Sequence, residues 1–297
     1  MARVFVTGMA VADFVFHVDV LPDEARKYRA IRAEVVVGGC AANAAVAIAR
    51  LGGKAYLGAR LGSDHLGGLI LANLRREGVN TDFVQLTEGA RSSFSSVYVD
   101  ARGERQIMNF RGSGLAEETT WIANAPDVDA VLVDTRWSAG TAAALALARE
   151  RRVPGIVDAE PPMELGTFRE ASHVAFSRDG LLSLVPGKDL PTALKEITAM
   201  TNAWVSVTDG GNGAWYSGTT GISHAAAFAV DVKDTLAAGD VWHGAFALAL
   251  GEGQDEPAAV RFANAAAALK CARFGVREGA PERAVLERFL REGTTCI

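Results

Sequence analysis

Short apolar segments alternate with longer amphipathic or alanine-rich segments over most of the chain. From residue 129 the alternation is regular, as in DAVLVD, AGTAAALALARERR and VPGIVDAE, and the apolar segments VAFS and AWVSVT continue it. Short apolar strands that alternate with helices indicate a mostly parallel sheet covered on both faces. Further helices are predicted at residues 164–170 and 190–202, and a hairpin at residues 214–231. The pattern therefore predicts an α/β fold.

The N-terminal part of the chain follows the same pattern. Residues 3–8 predict a short strand. The segment GGCAANAAVAIARLGG at residues 38–53 predicts a glycine turn and then an alanine-rich helix, which the final glycine pair stops. Residues 55–61 predict a buried strand, and the helix that follows is expected to be capped at Ser63 and to end at Gly78.

Two segments depart from this alternation. Residues 14–37 contain the polar run PDEARKYRAIRAEVVV, and residues 92–110 predict a hairpin with its turn at Arg102-Gly103. We expect the two segments to form a small β layer outside the main sheet. The chain is thus predicted to be a single domain, residues 1–297, with a three-layer α/β sandwich and a small β lid.

The composition is that of an ordinary globular protein, with 49% hydrophobic and 22% charged residues. The formal net charge of −5 gives no electrostatic basis for binding nucleic acid. No apolar run reaches the roughly 18 residues that a membrane span needs, and the N-terminal segment has the pattern of a strand, not of a signal peptide. The cysteines, Cys40, Cys271 and Cys296, lack metal-binding spacing, and their odd number argues against a disulfide framework. A cytoplasmic protein is expected.

The stretch DVKDTLAAGDVWHGAFALALGEG, residues 231–253, is the strongest candidate for chemistry. Small residues at 235–239 allow close approach of a ligand, and the helix that follows would direct its free N–H groups at that turn. Such amides bind anions, and a carboxylate in the first helical turn, Asp240, is well placed to accept a proton. The stretch suggests phosphoryl transfer, although a glycine turn before a helix is often only structural.

Ligands of open parallel sheets bind beyond the carboxyl ends of the strands. Four candidates lie near predicted strand ends: Gly8 with Asp13, Gly38-Gly39 with Asn43, Asp134 with Arg136, and the loop 234–240. None of them is the Walker sequence, and none is GxGxxG after a strand. A dinucleotide-dependent oxidoreductase is therefore disfavoured.

Three segments together resemble the PfkB/ribokinase family of carbohydrate kinases. GGCAANAAVAIARLGG resembles the N-terminal signature of the family, and DTLAAGDVWHGAF resembles its C-terminal signature, DTxGAGD before a helix. Between them, LGSDHLG matches the GxDxxG segment at Gly62, Asp64 and Gly67. The resemblance covers essentially the whole chain and implies an α/β sandwich with a β lid over the sugar, ATP and Mg²⁺ as cofactors, and sugar and ATP as the binding partners.

The resemblance also implies roles for individual residues. Asp240 would be the base, and the backbone amides of the preceding turn would receive the phosphoryl charge: Ala237, Ala238 and Gly239. Four residues would hold sugar hydroxyls: Asp13, Gly38, Gly39 and Asn43. Four would contact the nucleotide: Thr208, Gly210, Gly213 and Asn264. The alternatives are that Asn43 only caps local backbone and that Asp13 is an exposed turn residue.

Two positions depart from the family pattern. Ala237 replaces the first glycine of GAGD, which is tolerable if its φ is negative. The NxxE motif that helps to organise magnesium falls at residues 177–180, where its Asn is Ser177 and its Glu is Gly180. Asp179 or water would then complete the metal shell, so no metal ligand is assigned. The same departure motivates the rival hypothesis of a sugar- or nucleotide-binding regulator without catalysis.

Specificity in such kinases lies in the lid and at the strand end near residue 136. Lys27, Asn109 and Arg136 would converge there, which suits a tetrahedral anionic group. GERQIMNF, VLVDTRW and AALKCARFGVREGAP are similar to the members of the family that phosphorylate the C1 hydroxyl of 6-deoxy-6-sulfofructose. The alternatives are a neutral ketohexose or pentose, with Lys27 solvated and Arg136 paired to Asp134 or Asp158.

Two further residues near the signatures are predicted to have no catalytic role. His243, on the same helix as Asp240, is expected to pack or hydrogen-bond beside the site, and Cys40 is expected to be a small buried filler. Lid strands with free edges could pair between subunits, so a homodimer is expected.

Overall fold

The computed structural model describes residues 1–102, 104–161, 163 and 165–292. In chain order the strands are β1 (Arg3–Thr7), β2 (Val11–His17), β3 (Arg32–Gly38), β4 (Lys54–Gly62), β5 (Val84–Thr87), β6 (Phe94–Val99), β7 (Arg105–Phe110), β8 (Ala130–Asp134), β9 (Gly155–Ala159), β10 (His173–Ser177), β11 (Trp204–Thr208), β12 (Ala214–Gly218) and β13 (Gly221–Ala225). The helices are α1 (Cys40–Arg50), α2 (His65–Arg76), α3 (Ser138–Arg151), α4 (Arg178–Leu184), α5 (Leu190–Met200), α6 (Ala238–Gly251), α7 (Glu256–Cys271) and α8 (Arg283–Glu292).

The main sheet has nine strands in the order β13-β12-β11-β10-β9-β8-β1-β4-β5. All neighbours from β11 to β5 are parallel, and β12 and β13 add an antiparallel hairpin at one edge. The central strands are mostly apolar and are buried along nearly their whole length, because helices cover both of their faces. The predicted mostly parallel sheet is confirmed.

Helices α1, α6, α7 and α8 pack with α2 in one core, and α3, α4 and α5 form the other core. The small residues of α1 and α6 let the two helices approach closely, since a Cβ on Gly244 would lie 2.6 Å from the backbone oxygen of Ala44. This contact explains why the helix after the glycine turn is rich in alanine. None of the described helices has the length and apolar character needed to cross a membrane.

A second sheet lies apart from the main one, in the order β3-β2-β6-β7. Its strands lie within or close to the two segments predicted to form a lid, and β6 and β7 pair as the predicted hairpin. Gly103, at the predicted turn, lies outside the described residues. Asp100 fixes the turn from one side, because its carboxylate accepts from the N–H groups of Arg102 and Glu104 at 2.9 and 3.0 Å.

Three predicted details differ in the structure. The cap of α2 is Asp64 and not Ser63, because the Asp64 carboxylate accepts from Gly67 N at 2.8 Å. The helix predicted at residues 164–170 is a single 3₁₀ turn, Leu165–Phe168, and Glu164 lies outside the described residues. Helix α4 was not predicted, because it begins directly after β10 with Ser177 as its cap and leaves no loop between them.

Candidate active site

Polar side chains meet at the carboxyl ends of the central strands, where α6 begins. Asp134 ends β8 and faces Asp158 of β9 in the sheet register. Asp240 lies in the first turn of α6. The two signatures of the sequence therefore come together at the edge of the sheet where ligands of parallel sheets bind.

Asn43 and Asp240 are joined directly, although they are 197 residues apart in sequence. The side-chain N–H of Asn43 donates to Asp240 Oδ2 at 2.7 Å. Asn43 is therefore not a local backbone cap. Burial and the nearby Asp158 carboxylate raise the pKa of Asp240 from 3.8 to about 7. A carboxyl group with such a pKa can take up a proton near neutral pH.

The turn before α6 presents backbone amides beside this carboxylate. Val241 N donates to Ala237 O at 3.0 Å, and Ala238 N donates to Thr235 O at 3.2 Å. The Ala238 amide, which was predicted to receive the phosphoryl charge, is therefore bonded within the turn. Gly239 is exposed, and a Cβ on it would have no atom within 4 Å. The space over Gly239 is open, so an anion can approach the start of the helix.

Ala237 does not have the negative φ on which its tolerance was predicted to depend. It is the N-cap of α6 and lies in the left-handed region, with φ of 61° and ψ of 15°. Alanine in that region costs roughly 1–2 kcal/mol, because Cβ crowds the following carbonyl group. The turn that presents the amides is therefore held in a strained conformation.

Asp158 is a buried neighbour of Asp240 that the sequence analysis considered only as a partner of Arg136. Its Oδ1 lies 3.4 Å from His243 Nδ1. Burial raises the pKa of Asp158 well above its ordinary value and lowers the pKa of His243. Both shifts favour the uncharged forms of the two groups, which agrees with a packing role for His243.

Cys40 completes this buried cluster. Its Sγ and one oxygen each of Asp158 and Asp240 lie within 4.8 Å of one another. Burial and the nearby carboxylates raise the pKa of the Cys40 thiol well above its ordinary value. The group stays a thiol, which favours the predicted filler over a nucleophile. Cys40 and Cys271 are free thiols, and Cys296 lies outside the described residues.

Asp134 anchors the backbone that follows β1. Its Oδ2 accepts from Met9 N at 2.7 Å, and its Oδ1 accepts from Arg136 N at 2.9 Å. A Cβ on Gly8 would lie 2.2 Å from this carboxyl group. Gly8 is therefore required by the close approach of Asp134, and the carboxylate fixes the loops on both sides of the site.

Asp13 and the glycine pair lie together in the lid sheet, on β2 and at the end of β3. Asp13 is within β2, so it is not an exposed turn residue. A Cβ on Gly38 would lie 2.2 Å from Asp13 Oδ2, and Gly39, with φ of 100°, would place a Cβ 2.4 Å from Met9 O. Burial raises the pKa of Asp13. These residues form a tight polar corner at the joint between the two sheets.

The three residues predicted to hold an anionic group do not share one described contact. Lys27 is exposed in the loop between β2 and β3. Asn109 donates from Nδ2 to Ser95 Oγ at 3.0 Å, and Ser95 is opposite Asp13 in the lid register. The guanidinium of Arg136 donates to Pro161 O, and within the described part of the chain it forms no ion pair with Asp134 or Asp158.

Arg136 instead lines a small cavity of about 50 Å³ together with Arg60 and Arg111. The cavity is bordered by residues 8–10 after β1 and by Ser93 at the start of the lid hairpin. Arg60 is fixed by stacking over the Trp137 ring, with 4.7 Å between its guanidinium carbon and the ring centroid. The sequence analysis missed Arg60 and Arg111, because they come from segments far apart in the chain.

A larger cavity of about 530 Å³ extends from the β11–β12 turn to the start of α6. It is lined by all four residues predicted to contact the nucleotide: Thr208, Gly210, Gly213 and Asn264. It also reaches Ala238 and Gly239, so it connects with the turn beside Asp240. The Asn264 amide accepts from Trp242 Nε1 at 2.8 Å and donates to two backbone oxygens, so this side chain holds the cavity wall.

The segment in place of NxxE is occupied by a helix cap. Ser177 Oγ accepts from Gly180 N at 3.0 Å, and a Cβ on Gly180 would lie 2.4 Å from Ala159 O. No larger side chain fits at position 180, and Asp179 is exposed on the first turn of α4.

Glu160, directly after β9, is a partly exposed carboxylate near Asp158 that the sequence analysis missed. Its oxygens are of the kind that Mg²⁺ prefers.

A three-layer sandwich with a β lid, and a carboxylate at a helix N-terminus beside a large cavity, agree with a sugar kinase of the ribokinase-like fold, as the sequence resemblance implies. The profile of the pfkB family of carbohydrate kinases matches residues 1–283, and the chain belongs to that family. The predicted resemblance is thereby confirmed.

Individual relatives agree with this assignment. The ribokinase of Bacillus subtilis (strain 168) is 31% identical over 297 residues, which cover 98% of this chain and 100% of that protein. The fructokinase of Vibrio alginolyticus is 27% identical, with 98% and 99% covered. A solved structure from Agrobacterium tumefaciens, provisionally assigned as a ribokinase, is 35% identical, with a TM-score of 0.89 and 98% of each chain covered.

Proposed function

We propose that this protein is an ATP-dependent kinase that transfers the γ-phosphoryl group to a primary hydroxyl of a ketose by direct in-line transfer. The observation that carries the proposal is the Asp240 carboxylate. It is held by Asn43, has a pKa of about 7 and lies at the helix N-terminus where the 530 Å³ cavity ends. A base, an anion-binding turn and a nucleotide-sized cavity meet at one point.

In the proposed reaction Asp240 accepts the proton of the sugar hydroxyl while the sugar oxygen forms a bond to the γ-phosphorus. The bond between that phosphorus and the β–γ bridging oxygen breaks, and its electron pair leaves with ADP. The amides of Ala237 and Gly239 at the start of α6 stabilise the charge on the transferring group, whereas the Ala238 amide, which donates to Thr235 O, fixes the turn. The Asn43 amide keeps the carboxylate oriented toward its proton donor.

Thr208, Gly210 and Gly213 line the part of the cavity proposed for the nucleotide, and the alanines of α7 give it an apolar wall. Glu160, the partly exposed carboxylate after β9, would help to hold Mg²⁺ with water and the nucleotide phosphates as the other ligands, because position 180 has no space for a carboxylate. The metal would supply positive charge against the phosphates.

For the acceptor we propose C1 of 6-deoxy-6-sulfofructose. Asp13, Gly38 and Gly39 hold the sugar hydroxyls in the corner between the sheets, and Asn109 approaches the same corner from β7. The sulfonate is held by Arg136, supported by Arg60 and Arg111 in the 50 Å³ cavity, which has space for a few water-sized groups.

Fructose 6-phosphate has the same tetrahedral anionic end, whereas fructose and ribose lack it. Lys27, on the exposed loop of the lid, would reach the anion only if that loop folds over the bound sugar. The fructokinase and ribokinase relatives keep a neutral ketohexose or pentose as the alternative acceptor.

A binding protein without catalysis is the second candidate function, because the segment at 177–180 lacks the NxxE carboxylate. Magnesium-dependent release of ADP in the presence of each of these four sugars separates the two. Release with any sugar supports the kinase, and binding of sugar and ATP without release supports the regulator.

Replacement of the base tests the mechanism. In Asp240→Asn, kcat should fall by about 1,000-fold or more while sugar binding persists, because the amide keeps the shape but accepts no proton. Asp19→Asn, at an exposed carboxylate, is the matched control and should leave kcat unchanged. A kcat for Asp240→Asn within about threefold of the wild type would show that Asp240 is not the base.

A further inference from the structure

Lys270 near the end of α7 is a charged side chain with no exposed surface. Its ammonium group donates to two oxygens of one residue, Asp234 O and Asp234 Oδ2, both at 2.9 Å. A buried ammonium is costly unless it is paired and hydrogen-bonded. The position of this cation is therefore determined by Asp234.

Asp234 in turn holds the first part of the turn that leads to Asp240. Its Oδ1 accepts from Leu236 N at 2.9 Å, and its Oδ2 accepts from Gly275 N at 3.1 Å. Its backbone N–H donates to Cys271 O at 3.1 Å. Burial by itself would raise the pKa of Asp234, but the hydrogen bonds from Leu236 N and Lys270 keep it below its ordinary value. The lowered pKa favours the carboxylate form of Asp234, which a nearby positive charge stabilises.

The turn between Asp234 and Asp240 has to be fixed, because Ala237 is strained within it. The turn also presents amides to a phosphoryl group. An unneutralised Asp234 carboxylate at the start of the turn would repel that anion. Lys270 meets both needs, because its ammonium binds the carboxylate and the backbone oxygen of Asp234 and neutralises the carboxylate charge.

We propose that Lys270 is a positioning residue for phosphoryl transfer: its ammonium is a built-in cation that fixes the turn 234–240 and neutralises Asp234. The inference rests on the proposed function. It places Lys270 outside contact with the substrates, so the residue acts through Asp234 and the amides of the turn.

The lid reaches the same carboxylate. Arg105 of β7 has its guanidinium nitrogen 3.8 Å from Asp234 Oδ1. Arg105 is exposed and lies at the limit of an ion pair, so it adds little to the local structure. Lys270, which is fully buried at 2.9 Å, is therefore the cation on which the turn depends.

The first test removes the charge and keeps the shape. Lys270→Met should lower kcat by about 100-fold, the loss expected for a disturbed anion hole, and change the sugar KM by less than about threefold. Lys195→Met, at an exposed lysine of α5, is the matched control and should behave like the wild type.

Two further variants separate positioning from a general loss of structure. The double variant Lys270→Met with Asp234→Asn removes both charges and should recover at least tenfold in kcat over Lys270→Met. Lys270→Ala leaves space for a small cation, so methylammonium should raise its kcat in a saturable way, while tetramethylammonium at the same ionic strength should not.

A kcat for Lys270→Met within threefold of the wild type overturns the inference and leaves the proposed function standing. Loss of activity that neither the double variant nor methylammonium restores also overturns it, as does failure of all three variants to fold. A wild-type protein that releases no ADP with any of the four sugars refutes the proposed function first, and the inference with it.

Discussion

Ala237 has a strained backbone conformation in the turn that leads to Asp240. The left-handed region favours glycine, and Ala237 and Arg152 are the described non-glycine residues with positive φ. Ala237→Gly should raise the free energy of unfolding by about 0.5–1 kcal/mol, because relief of the strain exceeds the added entropy of the unfolded chain. The melting temperature should rise by roughly 1–4 °C in thermal unfolding.

Arg152→Gly, at the end of α3, is the matched control for this prediction. It should give a similar gain in melting temperature without touching the site. The kcat of Ala237→Gly should stay within about threefold of the wild type, because the turn uses backbone N–H groups. No gain in stability for Ala237→Gly would mean that surrounding contacts already relieve the strain.

The raised pKa of Asp240 predicts how activity depends on pH. The carboxylate is the active form, so kcat/KM should increase with pH, reach half its maximum near pH 7 and level off above it. The measurement is the initial rate of ADP release between about pH 5.5 and 8.5 with the best sugar. A flat profile across that range would contradict the assigned pKa.

The stability of Asp240→Asn at different pH values tests the same pKa in a measurement that does not depend on activity. A carboxyl group with a raised folded pKa contributes stability at low pH, and this is lost as the pH rises from 3.8 through about 7. Asp158 raises and His243 lowers the pKa of Asp240. The neutral amide avoids the loss, so the variant should melt above the wild type at pH 8, and this difference should diminish toward pH 5.

The sequence identified site residues that belong to a local motif. It did not identify residues whose role depends on contacts between distant parts of the chain. Asp240 and Asn43 stand in two signatures, and their hydrogen bond joins them. Asp158 acquires its place only from the strand register and the packing of α6. Lys270 has the pattern of an ordinary helical lysine in AALKC, and only the folded chain shows that it is buried on Asp234.

At the scale of elements, strands and helices with a periodic signal were predicted well, although the cap of α2 was placed one residue too early. The parallel strands and the alanine-rich α1 followed from alternation and composition. Short elements were predicted poorly, because one or two turns carry too few positions for a period. Helix α4 was missed, and the 3₁₀ turn Leu165–Phe168 was predicted as a longer helix at residues 164–170. The NxxE carboxylate is missing for a steric reason. Helix α4 starts so close to Ala159 O that position 180 has no space for a side chain.

Arg136 and Arg111 extend from the ends of two different strands into one cavity, which allows a test of the anionic substrate. Arg136→Ala and Arg111→Ala should each raise the KM for 6-deoxy-6-sulfofructose by roughly 10-fold or more, the loss expected for a charged hydrogen bond. The KM for fructose should change by less than about twofold, because fructose has no anion to place there.

Arg29→Ala, at an exposed arginine of the loop between β2 and β3, is the control and should affect neither sugar. If Arg136→Ala raised the KM for both sugars equally, the cavity would not be an anion-binding site. A larger effect with fructose 6-phosphate than with the sulfonated sugar would keep the cavity and change the preferred acceptor.

At the scale of the whole molecule, the site depends on how the two sheets meet. The Gly38 and Asp13 corner joins the lid to the main sheet, and the arginine cavity lies on the same boundary. Sequence alone predicted a lid but not the relative position of its residues. This is why Lys27, Asn109 and Arg136 were grouped together, whereas Arg60 and Arg111 were not considered.

The free edge of the lid predicts a homodimer. Strand β7 is exposed along its whole length, with Ile107 and Met108 at 59% and 75% exposure. An apolar edge strand with unpaired backbone groups tends to pair with another chain, and a twofold axis lets the same edge serve both subunits. In sedimentation equilibrium the wild type should have twice the chain mass of 31.2 kDa.

Met108→Lys should shift the protein to the monomer, because a charge on the edge strand opposes pairing. Met200→Lys changes a methionine of α5 that is 61% exposed and away from the lid, so it should remain a dimer. The lid also carries Asp13 and Asn109, so the monomeric variant should have a raised sugar KM while the KM for ATP stays unchanged. A wild-type monomer, or a Met108→Lys variant that remains a dimer, would show that β7 is not the interface.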